Sequence, residues 1–577
     1  MSLSVILNTA AAALTNSEYK IATTNNTIAN ASDTSYSRKV ATSTAVSSTE
    51  ALTVSTTTRV TDSYLTKLTA TSAASSAHDA AISSALTTYD AALGSVDSGD
   101  DLSSELQAFE TTLTNLSSSG ADSASKAKAV AAATTLAGTI QGLSSTVQSL
   151  RTQANTDIGT TVNEINASTA TIATLNRQIV STAASGGDTT DLEDQRDAAL
   201  QTLSSDIGVS YFVGPDNRMQ VYTSAGDLLV GDQANAISYT AASTLSATAT
   251  YPDQISGLTL GGRDITTSVT TGKLGGLINL RDDTLVQEQD KLDAFSTALI
   301  SAANTVTNTG TAYPPPSSLQ GTASVDASQA LSATGQLRVA VTDASGAVVS
   351  STDLDLSSYS TVGDLVTALN GVSGISAQLD SQGRLSIQTT DSTQGVALAD
   401  ISASISPSGS GVSAFFGLNN LFSGSSASDI TVNSAIANAP DRLPVGALST
   451  ASTLSVGDIG VASGDTTTTD ALSAAFSAAR TFTAAGNLPT TSTSLQSYAT
   501  DFVSSAANVI SSASDAADAS SAVFTAAQAR MQNFSNVNTN EELANLTALQ
   551  QQYQANAEMI TTARTLFQAL VSMMSAS

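Results

Sequence analysis

The stretch from Thr539 to Met573 carries a seven-residue apolar repeat that nothing within the stretch can bury. One row holds Leu546, Tyr553, Ile560, Phe567 and Met574, and the other holds Leu549, Asn556, Ala563 and Leu570. Residues three and four apart share a helix face, so this is a coiled-coil seam sustained over about four heptads. No Gly or Pro interrupts it, and Ala, Leu, Gln and Glu fill the other positions, so intrinsic preference agrees with the period. Asn538 or Thr539 can cap the first amides, and Glu541 and Glu542 put negative charge in the first turn, where the helix dipole favours it. Such a seam needs a partner. At the other end of the chain Leu7, Leu14, Ile21 and Ile28 recur at strict sevens, with Leu3, Ala10, Ser17 and Thr24 in the companion row. The termini are therefore expected to pair, the small companion residues allowing close approach and Asn556 setting register. The seam residues offset the entropy of ordering such long helices only if fully buried, so both ends are expected to be largely disordered in a monomer and helical in an assembly.

A chain of 577 residues exceeds one core and implies three or four domains. Only 12% of it is charged and 4% aromatic, while 41% is hydrophobic. That is not the signature of disorder, and Ala-rich helix bundles suit it better than cores of bulky side chains. A formal charge of -28 argues against nucleic acid or an anionic membrane as partner. Cysteine is absent and His78, beside Asp79, is the single histidine, which excludes disulfides, Cys-His chemistry and His-rich zinc sites. No catalytic, cofactor-binding or metal-binding residue is assigned. No basic residue precedes Lys20 and no apolar run nears the roughly 20 residues of a membrane span, so neither a secretory signal peptide nor a transmembrane segment is expected.

In chain order, Met1 to Ile28 reads as helix and Val40 to Val60 as extended. From about Asp62 to Leu203 the period is helical, with stripes Leu102, Leu106, Phe109, Leu113, Leu116 and Leu136, Ile140, Leu143, Val147, Leu150, broken by turns at Gly94 to Asp100, Ser117 to Gly120 and Gly186-Gly187. This predicts three or four long antiparallel helices. Asp191, Glu193 and Asp194 near a helix start suit its dipole, with Arg196 beside them on a solvated face. Gly208 to Val230 alternates with period two around Gly214-Pro215-Asp216-Asn217, a hairpin, and a further strand pair lies near Leu258 and Ile265. Gly272-Lys273-Leu274-Gly275-Gly276-Leu277 lacks the spacing of a phosphate-binding loop. Pro314-Pro315-Pro316 marks a stiff linker. Beyond it come a hairpin at Gly335 to Ser350, a helix at Thr361 to Asn370 and a hairpin at Ile375 to Thr389. Phe415, Phe416 and Phe422 suggest a small core at a domain junction. Asp470 to Phe482 and Leu495 to Met531 return to helix.

Ser535-Asn536-Val537-Asn538, Ala544-Asn545-Leu546 and Gln551-Gln552-Tyr553-Gln554-Ala555-Asn556-Ala557, together with Asn25-Asn26, Ile28-Ala29-Asn30 and Tyr36-Ser37-Arg38, resemble the terminal signatures of bacterial flagellar axial proteins. Three internal segments narrow the resemblance to the hook-associated protein 1 family: Asp194-Gln195-Arg196-Asp197, Leu274-Gly275-Gly276-Leu277 with Arg281-Asp282, and Ala414 to Ile430. Ser35 before Tyr36, Lys39 after Arg38 and Thr539-Asn540 depart from the family pattern. The fold expected is mainly α with α+β and β insertions, an elongated multi-domain chain. Residues 1-40 and 536-577 form a coiled-coil core domain. Residues 41-320 and 411-535 form a helical-bundle body with β-hairpins at about 206-270, and residues 321-410 an outward-pointing α+β insertion.

The resemblance implies a structural subunit at the junction of flagellar hook and filament, reaching the extracellular flagellum by type III export without a cleaved signal peptide and serving motility. Its implied partners are further copies of itself in one layer, the hook protein, hook-associated protein 3, and an export chaperone on the C-terminal helix. The assembly seam would be Leu7, Leu14, Ile21, Ile28, Leu546, Leu549, Tyr553, Asn556, Ile560, Phe567 and Leu570. Alternatives are a hook protein or another rod-type axial subunit and, distantly, a secreted enzyme working through paired carboxylates.

Overall fold

The computed structural model describes residues 3–45, 53–95 and 97–575. Met1, the middle of the expected extended stretch at 46–52, and Val96 lie outside the described residues. Helix α1 (Leu3–Ala29) leads into an antiparallel hairpin, β1 (Lys39–Ala45) and β2 (Thr53–Arg59), whose register sets Lys39 opposite Arg59. Four helices follow: α2 (Ser63–Leu93), α3 (Leu102–Ser118), α4 (Ser123–Ala184) and α5 (Thr190–Asp206). Asp62, Asp101 and Asp122 cap the first three, each accepting first-turn amides that have no partner inside the helix. At about 1.5 Å per residue, the 62 residues of α4 make a rod of roughly 90 Å.

The apolar stripes lie where the period puts them. Leu102, Leu106, Phe109, Leu113 and Leu116 of α3 and Leu136, Ile140, Leu143 and Val147 of α4 are all buried in one core. Leu150 is only half-buried, and the next residue, Arg151, takes the inward place instead. Its guanidinium donates to four carbonyls, those of Arg281, Ser246, Ala247 and Ala249, so a charge enters the core with each of its nitrogens hydrogen-bonded and holds an irregular loop against the rod.

Two small antiparallel sheets lie along α4: β3 (Val209–Val213), β4 (Met219–Thr223) and β5 (Leu228–Val230), then β6 (Ile237–Ser238), β7 (Thr259–Leu260) and β8 (Arg263–Asp264). Asparagines of the rod hold them in place. Asn176 donates to the Met219 carbonyl at 2.8 Å and accepts its N–H at 3.0 Å, and Asn166 does the same for Ile237 at 2.8 Å each way. Each amide thus acts as a one-residue strand. Asn155 adds a bond to the Ala242 carbonyl.

Helices α6 (Gly272–Asn279) and α7 (Leu285–Thr307) run on through a π-helical turn, Leu280–Thr284. A Cβ on Gly276 would stand 2.4 Å from the His78 carbonyl of α2, and one on Gly275 2.7 Å from Thr270. These glycines serve close packing. A buried ion pair lies within α7, with Lys291 Nζ 2.7 Å from Glu288, whose other oxygen accepts from Tyr89 and so links α7 to α2.

The Pro segment packs rather than spans. Lys126 donates to the Tyr313 carbonyl and Val396 to that of Pro316. Beyond it lie β9 (Ser318–Ser324), β10 (Ala333–Thr334), β11 (Gln336–Thr342), β12 (Val348–Asp355), α8 (Val362–Asn370), β13 (Ile375–Leu379), β14 (Arg384–Thr389), β15 (Gly395–Asp400) and β16 (Ser404–Ile405). Two three-stranded sheets result, in orders β12-β11-β15 and β13-β14-β9, around a core separate from that of the bundle. The expected hairpins and the helix are present, and each sheet gains its third strand from an end of the insertion. Short elements return the chain: α9 (Val412–Phe416), β17 (Phe422–Ser423), β18 (Thr431–Val432) and α10 (Ser434–Ala437). The expected Phe cluster is divided, because Phe416 belongs to the insertion core and Phe422 to the bundle core. Then α11 (Thr467–Ser477), the pair β19 (Arg480–Phe482) and β20 (Thr491–Thr493), and α12 (Leu495–Ser535) complete the bundle, and α13 (Thr539–Ser575) ends the described chain. Among the described residues no helix is long and apolar enough to cross a membrane.

Both ends are helices in the single chain, against the expectation that they order only in an assembly. The reason is that each end lies against the other, so part of the seam is covered without a neighbour.

Candidate functional site

The site is the terminal helix pair and the polar anchor that ties it to the body. Polar contacts give the pair its direction: Glu542 meets Arg38, Tyr553 donates to Glu18 at 3.3 Å, and Asn556 donates to Ser17 at 3.4 Å. Rising numbers on α13 meet falling numbers on α1, so the helices are antiparallel. Asn538 caps α13, accepting the amides of Asn540 and Glu541.

The buried row of α1 is the small one. Ala10 and Ser17 are 0% and 2% exposed and Thr24 is buried, whereas Leu7, Leu14, Ile21 and Ile28 are half-covered. Small side chains let the helix backbones approach, which leaves the larger Leu/Ile row at the flank of the contact. On α13, Leu546, Leu549, Tyr553, Asn556 and Ile560 are half-covered and Ala563 is buried at 3%. Past Ala563 the cover ends, with Leu566, Phe567 and Leu570 at 57%, 52% and 51% exposed. The structure therefore brings the α13 row together with α1 as far as Ala563 and leaves Phe567 and Leu570 in the open. The side chain of Leu3 lies outside the described residues.

The anchor is built on Ser37-Arg38-Lys39, an extended segment whose alternate side chains point opposite ways. Ser37 and Lys39 face α5. The Ser37 hydroxyl donates to Asp194 at 2.6 Å and its amide at 3.3 Å, while Lys39 pairs with Asp191 and, at 3.4 Å, with Asp194. Arg59, opposite Lys39 in the hairpin, reaches Glu193, Asp194 and Asp197. Arg38 faces the other way, to Glu542 at 2.7 Å and Glu541 at 3.2 Å, and its amide donates to Ser535. Burial pushes the Asp194 carboxyl up, against the Ser37 hydrogen bond and the cations of Arg59 and Lys39. The bond to Glu542 holds the Arg38 guanidinium still higher than usual.

This corrects the reading of the Asp194 segment. The residues are structural, but Asp194 and Arg196 are buried and only Asp191 keeps a solvated side chain. Arg196 is 3% exposed and donates to Asn176 and to the Asn217 carbonyl. The acids bind cations that lie more than 130 residues away in sequence. Arg59 carried no sequence signal, being one basic residue in a Thr-rich strand. Among the described residues no group of three or more His, Asp or Glu is arranged to hold a metal.

The family model described as the flagellar hook-associated protein FlgK helical domain matches residues 86–315, and that described as the flagellar basal body rod FlgEFG protein C-terminal matches residues 528–573. Flagellar hook-associated protein 1 of Salmonella typhimurium is 30% identical over 217 residues, 36% of this chain; the match spans 38% of the length of that relative. The protein of the same description from Escherichia coli is 25% identical over 489 residues, 82% of this chain and 81% of its own. A solved structure titled as the flagellar hook junction protein FlgK from Burkholderia pseudomallei is 19% identical, covering 81% of this chain and 99% of its own with a TM-score of 0.48. The terminal helices pair antiparallel and join a helical body, and the C-terminal segment is similar to that of flagellar rod-type axial proteins. Within that likeness the helical body is similar to the FlgK helical domain over residues 86–315.

Proposed function

We propose that this chain is a structural subunit of the bacterial flagellum, not an enzyme, and that it forms the junction between hook and filament. The observation that carries this is the division of labour in the terminal pair: the small-residue row is used within the chain, and the apolar row at Leu566, Phe567 and Leu570 is open to neighbours. Contiguous apolar side chains of this size on a helix are an interaction surface, and their burial would supply the driving force for joining a layer. We read the partners as further copies of the chain in one layer, the hook protein on one side and hook-associated protein 3 on the other. A chaperone would cover the C-terminal helix before export. The extracellular location, by an export route without a cleaved signal peptide, follows from the same reading. The match of the helical body to the hook-associated type favours the junction over the hook itself.

Negative-stain imaging of isolated flagella with an antibody against this chain tests the reading. A label confined to the hook-filament boundary is expected; label along the whole hook would overturn it in favour of a hook subunit.

A further inference from the structure

Leu566, Phe567 and Leu570 share the open part of α13 with methionines. Met559, Leu566 and Met573 recur at sevens, a third row beside that of Ile560, Phe567 and Met574. Met559, Met573 and Met574 are 51%, 67% and 73% exposed, whereas Met219 in β4 is 1% exposed and Met531 in α12 is half-buried. Among the described residues, the thioethers most open to solvent therefore all lie on this one helix, interleaved with its open apolar side chains. The chain has no Cys and no Trp, so these sulfurs are also its most readily oxidised exposed groups.

We propose that Met559, Met573 and Met574 form a sulfoxidation site that switches off the joining of a subunit to its layer. This rests on the reading of the open row of α13 as the surface buried in assembly. The co-reactant is a peroxide. A thioether sulfur takes one peroxide oxygen, an S–O bond forms as the O–O bond breaks, and the remaining oxygen leaves as water; sulfur is oxidised by two electrons and the peroxide reduced by two. In the monomer the new oxide stays in water, because each of the three side chains is more than half exposed, and the fold does not sense it. In a layer the same oxide is a strong acceptor pressed among Leu566, Phe567 and Leu570, with its hydration gone. Each one left without a donor should lower joining by about tenfold or more. The site is thus open before a subunit joins and closed afterwards, since the neighbour that covers the row also excludes the oxidant. The row tests the subunit for oxidation at the moment it is used.

The experiment treats full-length monomer with hydrogen peroxide, maps added oxygen by peptide mass spectrometry, and offers treated and untreated protein to isolated hooks, with melting recorded in parallel. Oxygen should appear on Met559, Met573 and Met574 and not on Met219. The melt should be unchanged and incorporation should fall by about tenfold or more. Reducing the treated protein with the two epimer-specific methionine sulfoxide reductases should restore it. A combined Met559→Leu, Met573→Leu and Met574→Leu variant, measured against its own untreated level, should lose nothing on treatment. Full incorporation of oxidised parent would overturn the site. So would three thioethers that resist peroxide in the monomer, or an equal loss in the treated leucine variant. Failure of the untreated parent to join hooks would overturn the junction reading first, and this proposal with it.

Discussion

Replacing Asp194 by Ala removes the one carboxylate shared by Ser37, Lys39 and Arg59. Ser37 and Lys39 are each 6% exposed, so water cannot readily take its place. The Ser37 amide and hydroxyl lose their acceptor, at about 1 to 3 kcal/mol for each buried donor. Lys39 keeps Asp191, and Arg59 keeps Glu193 and Asp197, so neither cation is stranded. Burial already disfavours the Asp194 charge, so losing it offsets part of this cost. The net cost is about 3 kcal/mol, or roughly a hundredfold in the docking equilibrium. Because the partners lie in residues 37–59, the loss should fall on the N-terminal segment and not on the bundle. Hydrogen exchange read by mass spectrometry should rise over residues 36–45 and 53–60, with α3 and α4 unchanged and the calorimetric transition of the body kept. Asp191→Ala, which removes a 79% exposed partner, should cost under about 1 kcal/mol. Unchanged exchange in Asp194→Ala, or equal effects of the two variants, would refute the assignment of Asp194 as the buried centre of the anchor.

Gly276→Ala should destabilise the body by about 1 to 3 kcal/mol in chemical denaturation, since its Cβ would stand 2.4 Å from the His78 carbonyl; Gly138→Ala in α4, with nothing within 4 Å, should stabilise it by up to about 1 kcal/mol. Asn176→Ala, which orphans the Met219 N–H and carbonyl, should cost about 2 to 5 kcal/mol, and Asn166→Ala less, because Asn166 is half-exposed and water can substitute. Burial, with Glu164 nearby, pushes the Asp206 carboxyl up to about 6, above the roughly 3.9 of an unfolded chain. Its folded form favours the proton, so the stability it contributes is full below about pH 4 and lost as pH rises through about 6. Asp206→Asn should therefore raise the melting temperature at pH 7 and flatten the decline between pH 4 and 7.

Periodicity made the bundle legible because apolar stripes report which face turns inward. It failed where that face is polar. Arg151 follows Leu150 in sequence, and nothing there says that the arginine goes in, since its four carbonyl partners come from distant loops. Asn155, Asn166 and Asn176 recur at intervals of about three turns along one face of α4, a faint signal of their role that has meaning only once strands lie beside it. The terminal heptads announced a helix pair, yet not which row lies inside. Leu and Ile dominate by hydrophobicity, while Ala10, Ser17 and Thr24 win by size, because close approach of two helices selects small side chains. The anchor was visible as residues and invisible as a contact, for its halves lie in separate parts of the chain.

The central claim is that the open apolar row of α13 is reserved for neighbouring subunits. Phe567→Asp tests it most directly. Phe567 is 52% exposed, so a carboxylate there stays solvated and should leave monomer melting unchanged. In an assembled layer the same carboxylate, buried without a partner, should cost several kcal/mol, enough to prevent joining. The measurement is incorporation of purified variant and parent onto isolated hooks, with melting recorded in parallel. An unchanged melt with lost incorporation is the predicted result; normal incorporation of Phe567→Asp would contradict the account.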